Sequence, residues 1–254
     1  MENIEIEPDG LTRTNVTVKG KGFELTFRAT VPTGPTTARE LLPLARGLSE
    51  VMVREGIKAA AEQGRKISCC SGCGACCRNI VAISQLEARL LADLVEGLDQ
   101  PRRSVIESRF AEARRQLEAS GLAEKLASFE SWEPADYQAM VGAYFALGIP
   151  CPFLENESCS IYPERPLTCR EFLVTSPPQH CSEQDSGAVR QVVLPLHVFN
   201  AVARWNVPKQ GPILERWVPL ILALDWARAN PDTTPPKPGL ELLQDFLGCM
   251  EEPH

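Results

Sequence analysis

The sequence predicts a mainly α-helical fold with a small N-terminal β-hairpin and irregular cysteine-rich loops that pack on the helices. Apolar and polar residues alternate near the N-terminus, as in a strand, whereas later segments repeat apolar residues at helical spacing. Nine of the ten cysteines lie between Cys69 and Cys181, in two segments rich in turn-forming residues. These patterns define the expected architecture.

The hairpin is predicted from residues 16–31. Apolar residues alternate with Glu, Thr and Arg over residues 23–31. Val16 and Val18 precede this stretch across residues 20–22, a turn sequence that contains two glycines. Residues 32–35, which include two prolines, are expected to end the sheet.

Amphipathic patterns predict helices along most of the remaining chain. The first ends before Gly64, a typical stop signal, and the second begins with a capping box formed by Ser84 and Glu87. Pro101 suits the first turn of the third helix. We expect irregular structure over residues 150–185 and helices over residues 37–63, 84–98, 101–121, 134–147, 196–205, 213–229 and 240–249.

Length and composition indicate one compact globular unit. The 254 residues are 44% hydrophobic and 23% charged, which is ordinary globular usage. We divide the chain into an N-terminal hairpin with a long helix (1–66), a cysteine-rich region (67–185) and a C-terminal helical extension (186–254).

Charge and hydropathy argue against two classes of partner. The net charge of −7 does not suit a nucleic-acid-binding surface. No apolar run approaches the about 20 residues that a membrane-spanning helix needs. Residues 1–5 are acidic and lack the basic and then apolar order of a signal peptide. We therefore expect a cytoplasmic protein that contacts neither membrane nor nucleic acid.

The cysteine content is too low for a scaffold held together by disulfides. Ten cysteines in 254 residues are well below the about 8–10% of such chains. Five of them fall within nine positions, from Cys69 to Cys77. In a reducing compartment this clustering indicates metal binding or catalysis, and metal binding would hold the thiols as ligands.

The first cysteine cluster has the spacing C-x2-C-x2-C-C, formed by Cys70, Cys73, Cys76 and Cys77. Two residues between thiolates is the recurring spacing of zinc and iron–sulfur sites. The intervening residues are Ser, Gly, Gly and Ala, which let the chain wrap tightly and turn backbone N–H groups towards sulfur. A cysteine-rich structural turn without metal is the alternative.

The second set of cysteines supplies the remote partners that the first cluster needs: Cys151, Cys159, Cys169 and Cys181. Each alone fits a small buried apolar residue, but together in turn-forming sequence they indicate metal ligands on loops. The eight thiols divide into two four-cysteine sites or clusters. Basic residues flank both sets, and we expect them to offset thiolate charge: Arg65, Lys66, Arg78, Arg165 and Arg170.

The spacing favours an iron–sulfur cluster over Zn²⁺. Zinc suits four thiolates and any C-x2-C pair. Cys70, Cys73 and Cys76 with the remote Cys151 before a proline imitate a ferredoxin, although Cys77 follows directly and removes the usual third gap. Because neighbouring side chains in an extended segment point to opposite sides, we expect Cys76 and Cys77 to serve different metals, or different irons of a larger cluster.

The sequence identifies no catalytic residue. A cysteine nucleophile needs a base, and the one histidine beside a cysteine is His180, which precedes Cys181. His180 is more credible as an alternative metal ligand. We expect His197 to have a structural place in a helix.

Three cysteine motifs resemble those of a bacterial and archaeal family that is named for its CxxCxxCC cluster and described as zinc- or iron-chelating. The first cluster fits the first motif of the family. Residues 151–162 fit the second motif, residues 165–172 fit the third, and Cys181 stands where a final cysteine is expected. The resemblance covers residues 67–185.

The resemblance implies a metal-binding protein whose eight-cysteine cluster has a structural, redox or metal-handling role. Some family members bear the name flagellin lysine N-methylase, so a metal-dependent protein-modifying enzyme similar to a lysine N-methylase is the alternative. Cys69 and Cys249 have no counterpart in the motifs, and we expect both to be dispensable for metal binding. The resemblance identifies no protein partner.

Overall fold

An antiparallel sheet of three strands forms the N-terminus of the computed structural model, which describes residues 1–20, 22–128, 134–183, 187–205 and 217–251. Strand β1 (Glu2–Ile6) pairs with β2 (Leu11–Gly20), and β2 pairs with β3 (Phe23–Pro32). The predicted hairpin of β2 and β3 is confirmed. The sequence does not predict β1, because a short edge strand whose five residues are all exposed needs no buried apolar face.

A long helix, α1 (Ala38–Glu62), follows the two-residue strand β4 (Pro35–Thr36). Its start is fixed by Glu40, whose carboxylate accepts the backbone N–H of Thr37 at 2.8 Å. Beyond its end, Gly64 has a φ of +70°, a conformation that suits glycine. The helix predicted over residues 37–63 is confirmed to within one residue at each end.

A short strand and four helices follow the first cysteine cluster: β5 (Ala82–Ser84), α2 (Gln85–Glu96), α3 (Arg102–Ala119), α4 (Ala123–Ala127) and α5 (Pro134–Ala146). The predicted capping box is present, since Glu87 N–H donates to Ser84 Oγ at 3.1 Å. The three helices predicted here are confirmed. Helix α4 has only five residues, too few to show a helical period in the sequence.

The prediction of irregular structure over residues 150–185 is wrong in part. Five short elements lie there: β6 (Leu154–Glu155), β7 (Ser158–Cys159), a 3-10 helix (Tyr162–Glu164), α6 (Leu167–Glu171) and α7 (Gln179–Ser182). Strands β6 and β7 form a hairpin. Elements this short escape periodicity arguments. Three predicted ligands therefore lie on regular elements rather than on loops: Cys159, Cys169 and Cys181.

The C-terminal part contains α8 (Val198–Arg204), β8 (Trp217–Pro219), α9 (Ala223–Ala229), β9 (Lys237–Pro238) and α10 (Gly239–Glu251). The helix predicted over 213–229 is wrong at β8, which pairs with β5. Pro219 explains the difference, because proline is costly inside a helix. Residues 213–216 lie outside the described residues. The helices predicted over 196–205 and 240–249 are confirmed.

Elements from both ends of the chain share one hydrophobic core. Buried residues of β2, β3, α1, α8 and α10 form this cluster, with Met52 and Phe246 among its largest members. A second cluster joins α2, α3 and α9 to Phe153, and Cys151 and Cys159 pack against it. Two of the four cysteines of the second set therefore pack against this helical core.

The mainly helical class is confirmed by ten α-helices within the described ranges, against one three-stranded sheet and three two-stranded pairs. None of the described helices is both long and apolar enough to span a membrane. The division into residues 1–66, 67–185 and 186–254 stays a prediction.

Candidate metal centre

The first cysteine cluster lies in a coil between α1 and β5 that is wound into consecutive turns. Cys73 N–H donates to the carbonyl of Cys70 at 3.2 Å, and Cys77 N–H donates to the carbonyl of Gly74 at 3.0 Å. Gly72 has a φ of +89°, which a residue with a side chain rarely adopts. The small residues between the cysteines thus allow the tight winding that the sequence predicts.

Gly74 brings this coil against the β6–β7 hairpin. A Cβ atom at position 74 would lie 2.7 Å from Leu154 Cδ1 and 2.8 Å from the carbonyl oxygen of Glu157. Both distances are shorter than a normal packing contact. Glu157 also forms a two-pronged ion pair with Arg78, with N–O distances of 3.0 and 2.6 Å. The coil and the hairpin are therefore held in direct contact.

Hydrogen bonds to backbone carbonyls join the first cluster to the second set of cysteines. Cys151 N–H donates to the carbonyl of Cys77 at 2.7 Å. The side-chain amide of Asn79 donates to the carbonyls of Cys76 and Cys181, each at 3.2 Å. Two segments that are far apart in sequence thus meet at Cys76 and Cys77.

Cys76 interacts electrostatically with most of the other thiols. A hydrogen bond between its sulfur and that of Cys77 lowers the pKa of Cys76 to about 7 and raises that of Cys77. The two side chains do not point apart as predicted, because the coil is turned rather than extended. Burial raises the pKa of five further thiols, and negative charge on Cys76 raises it again: Cys69, Cys151, Cys159, Cys169 and Cys181.

We define four of the thiols as an inner group: Cys77, Cys151, Cys159 and Cys169. Burial is the largest cause of the pKa of about 12 at Cys151, and negative charge on Cys159 contributes to it. Burial also raises the pKa of Cys169, followed by negative charge on Cys151. Negative charge on Cys151 and Cys169 also contributes to the raised pKa of Cys77, so each of the four thiols interacts with at least one other in the group.

We define the other four predicted ligands as an outer group: Cys70, Cys73, Cys76 and Cys181. Burial raises the pKa of Cys181 to about 11, and negative charge on Cys76 and Cys73 adds to the rise. Cys70 is exposed at the start of the coil. The structure thus brings Cys73, Cys76 and Cys181 together and leaves Cys70 at the surface.

Cys69 lies close to the outer group. The sequence does not predict this position. Its sulfur accepts the backbone N–H of Val174 at 3.3 Å. Burial raises its pKa, and negative charge on Cys76 and Cys73 raises it further. The one signal in the sequence that could have found this residue is its position directly before Cys70.

Arg165 supplies positive charge to both groups. Its guanidinium lies over the ring of Tyr162, 4.0 Å from the ring centroid. Its charge favours the thiolate forms of Cys76 and Cys159. Arg170 fixes this segment, because its Nε donates to the carbonyl of Arg165 at 2.9 Å. Arg165 is therefore the residue in this segment that suits the predicted compensation of thiolate charge.

Helix α6, which carries Cys169, is tied to two other elements by side-chain hydrogen bonds. The hydroxyl of Thr168 donates to the carbonyl of Ala82 on β5 at 2.6 Å. The hydroxyl of Ser49 on α1 donates to the carboxylate of Glu171 at 2.7 Å. These bonds set the position of Cys169 relative to the coil.

The remaining candidate residues lie elsewhere. Cys249 is buried on α10 in the core shared with the N-terminal sheet. The Nδ1 atom of His197 lies 3.4 Å from the buried carboxylate of Glu171, which suits the structural place predicted for it. His254 lies outside the described residues.

A cavity of about 550 Å³ opens beside the outer group, and its wall includes the thiols of Cys76, Cys169 and Cys181. The ring of His180 also lines it. The Nδ1 atom of His180 is buried, has no hydrogen-bond partner among the described residues, and lies 3.9 Å from a carboxylate oxygen of Glu183. The structure thus places His180 next to the thiols, at the edge of the cavity.

The donor set fits a thiolate-bound metal, although within the described ranges no three Cys, His, Asp or Glu side chains are already arranged around a metal position. None of the cysteines, all of which lie within the described ranges, is joined to another by a disulfide. Burial raises the pKa of Cys151 and Cys169, so a metal bound there would have to displace their protons. Arg165 would then provide a cation for the resulting thiolates.

The family model CxxCxxCC, described as "Putative zinc- or iron-chelating domain", matches residues 69–186. This match confirms the resemblance and supports chelation of zinc or iron. It begins at Cys69 and includes every thiol of the inner and outer groups. No curated protein and no solved structure matches the chain.

Proposed function

We propose that this chain, whose residues 69–186 form a CxxCxxCC domain, is a metal-binding protein with two neighbouring cysteine-ligated centres. The observation that carries the proposal is the junction of its two cysteine segments, where Cys151 N–H donates to the carbonyl of Cys77 at 2.7 Å. Reduced thiols that converge from distant segments are typical of zinc and iron–sulfur sites.

The two groups of thiols supply four ligands each. The inner group (Cys77, Cys151, Cys159 and Cys169) holds the inner centre, and the outer group (Cys70, Cys73, Cys76 and Cys181) holds the outer centre. Four thiolates is the number that a structural zinc or a four-iron cluster takes. The hydrogen-bonded sulfurs of Cys76 and Cys77 make the two centres immediate neighbours.

We infer that iron–sulfur clusters occupy these centres in preference to Zn²⁺. The spacing of Cys70, Cys73 and Cys76, completed by a remote cysteine before a proline, is the ferredoxin-like feature that supports this preference. Zinc remains the alternative, because either set of four thiolates also suits a tetrahedral ion.

The surroundings of the two centres suggest different roles. The inner centre joins the coil, the β6–β7 hairpin and α6, so its metal would contribute to folding free energy. The outer centre borders the cavity and includes the exposed Cys70, which suits a redox or metal-handling role. The same cavity favours the enzyme alternative, in which a substrate reaches the metal.

The chemistry of the site also bears on where the protein works. Eight thiols must stay reduced until metal binds, and a reducing compartment provides that condition. We therefore propose a cytoplasmic location. The partner in this account is the metal ion or cluster, and neither nucleic acid nor membrane is part of it.

Two double variants test the division into centres. Cys151→Ser with Cys169→Ser empties the inner centre, and Cys73→Ser with Cys181→Ser empties the outer one. Each double variant should keep about half of the wild-type metal per chain when purified without oxygen. Wild-type metal content in either double variant would contradict the assignment of that centre.

The fourth outer ligand is tested by single variants of two adjacent cysteines. If Cys70 is the ligand, Cys70→Ser loses metal from the outer centre, while Cys69→Ser keeps full metal content. The reverse result would move the ligand assignment to Cys69. Cys249→Ser is the matched control and should keep all metal, because its thiol lies in the hydrophobic core.

A further inference from the structure

The cavity beside the outer group is large enough to bind an organic molecule. Its volume of about 550 Å³ falls in the range of small-molecule sites, about 300–1,000 Å³. Residues from the end of the coil, α5, α6, α7 and the segment before α8 line it. A metal site that is purely structural is enclosed by its ligands, whereas this one has an open side.

Most of the cavity wall is apolar. The apolar lining residues come from four separate segments of the chain: Ile80, Val81, Val141, Phe145, Phe172 and Val189. A surface of this kind favours the apolar body of a ligand, because burying both surfaces removes them from water.

The charge of the wall excludes one class of ligand. Among the described residues, no lysine or arginine lines the cavity, whereas Glu183 and the thiols of Cys76, Cys169 and Cys181 do. A carboxylate or phosphate inside would face negative charge with no cation in the described wall to offset it. The cavity therefore suits an uncharged or cationic molecule.

His180 and Glu183 offer hydrogen-bonding positions to a polar group of the ligand. The buried Nδ1 atom of His180 has no hydrogen-bond partner in the described part of the chain. The carboxylate oxygen of Glu183 is 3.9 Å away, too far for a direct hydrogen bond. A hydroxyl or amine between them would satisfy both groups.

We propose that this cavity binds an uncharged or cationic organic molecule with an apolar body and one hydrogen-bonding group, in contact with the outer centre. The inference rests on the proposed function, because Cys76 and Cys181 line the cavity and would be metal ligands of the outer centre.

Three probes with one apolar body and different charges test the proposal on metal-loaded protein. They are 4-phenylbutanol, 4-phenylbutylamine and 4-phenylbutyrate, and isothermal titration calorimetry measures their binding. The alcohol and the amine should bind with one molecule per chain, and the acid at least about tenfold more weakly. Equal binding of all three would overturn the charge argument.

Variants that fill the cavity locate the binding. Val141→Trp should weaken binding of 4-phenylbutanol at least about tenfold and leave metal content unchanged. Val105→Trp, at a site on α3 that is 45% exposed and outside the cavity wall, is the matched control and should bind like wild type. Val189→Trp fills the cavity from a different segment and replaces Val141→Trp if that variant does not fold.

Metal analysis of the same samples distinguishes failure of the cavity proposal from failure of the proposed function. Metal-loaded protein that binds neither the alcohol nor the amine would overturn the cavity proposal and leave the proposed function intact. Protein that contains no metal would overturn the proposed function itself. Undiminished binding in both cavity-filling variants would place the probes elsewhere and contradict the inference.

Discussion

The backbone N–H of Leu167 donates to the buried carboxylate of Glu87 at 2.7 Å, although the two residues are 80 positions apart. The other carboxylate oxygen of Glu87 accepts the hydroxyl of Ser84 at 2.8 Å. One carboxylate therefore completes the capping box of α2 and also satisfies the first turn of α6, which carries Cys169. The capping box seen in the sequence thus has a second role in positioning a candidate ligand.

Replacing Glu87 with Ala should lower the free energy of unfolding by about 2–4 kcal/mol, because a helix cap is lost and a buried N–H is left without an acceptor. Glu87→Gln keeps one acceptor oxygen and should cost about half as much. Urea denaturation of the metal-loaded protein measures both. Glu118→Ala is the control, since this carboxylate is 53% exposed and should change stability by less than about 0.5 kcal/mol. A similarly small change for Glu87→Ala would contradict the dual role of its carboxylate.

Gly74→Ala should destabilise the protein by about 1–3 kcal/mol and reduce its metal content, because the new methyl group pushes the β6–β7 hairpin away from the coil. Gly47→Ala is the matched control. It lies inside α1 with open space around it, so it should stabilise the protein by about 0.5–1 kcal/mol and keep all metal. Thermal unfolding and metal analysis report on both variants. Full metal content in Gly74→Ala would show that the close approach is not needed for binding.

Cys76→Ser and Cys77→Ser should each lose about half of the metal, from different centres, because the two cysteines belong to the outer and inner groups respectively. Metal analysis combined with the spectrum of the remaining centre tests this. Complete loss in both single variants would favour one larger cluster that uses both sulfurs. Full retention in one variant would identify that cysteine as a thiol without a metal.

Arg165→Gln should weaken metal retention by about 10–100-fold in a chelator competition, because the variant lacks the cation beside Cys76 and Cys159. Arg165→Lys keeps the positive charge but loses the planar stack on Tyr162. Its metal retention should lie between that of Arg165→Gln and that of the wild-type protein. Arg115→Gln removes an exposed arginine that pairs with Glu112 on α3, and it should behave like wild type. Equal retention in Arg165→Gln and Arg115→Gln would remove Arg165 from the site.

The sequence predicts the long amphipathic helices and the β2–β3 hairpin, because each spans several periods of its pattern. Helix α1 and the capping box at Ser84 show this directly. Helices α6 and α7 are five and four residues long, so they carry no readable period. Strand β8 is misread as helix because Pro219, the local signal against a helix, does not by itself indicate a strand, and the pairing with β5 is a long-range contact.

The sequence predicts which residues belong to the candidate site but not how these residues are arranged in space. The spacing of the cysteines identifies all eight proposed ligands, but the contact between Cys151 and Cys77 depends on how the intervening helices pack. The position of Cys69 beside the outer group is not predicted, because it depends on a hydrogen bond with Val174, which is distant in sequence. The cavity is missed for the same reason, since its wall combines residues from separate segments.

Iron, zinc and acid-labile sulfide per chain, measured on protein purified without oxygen, test the central claim most directly. The account predicts about eight irons per chain, four at each centre, with a near-equal amount of sulfide. Stoichiometric zinc without sulfide would preserve the two cysteine-ligated centres and replace iron–sulfur with the alternative metal. Protein that contains neither metal, yet folds with its thiols free to react with a thiol reagent, would contradict the account.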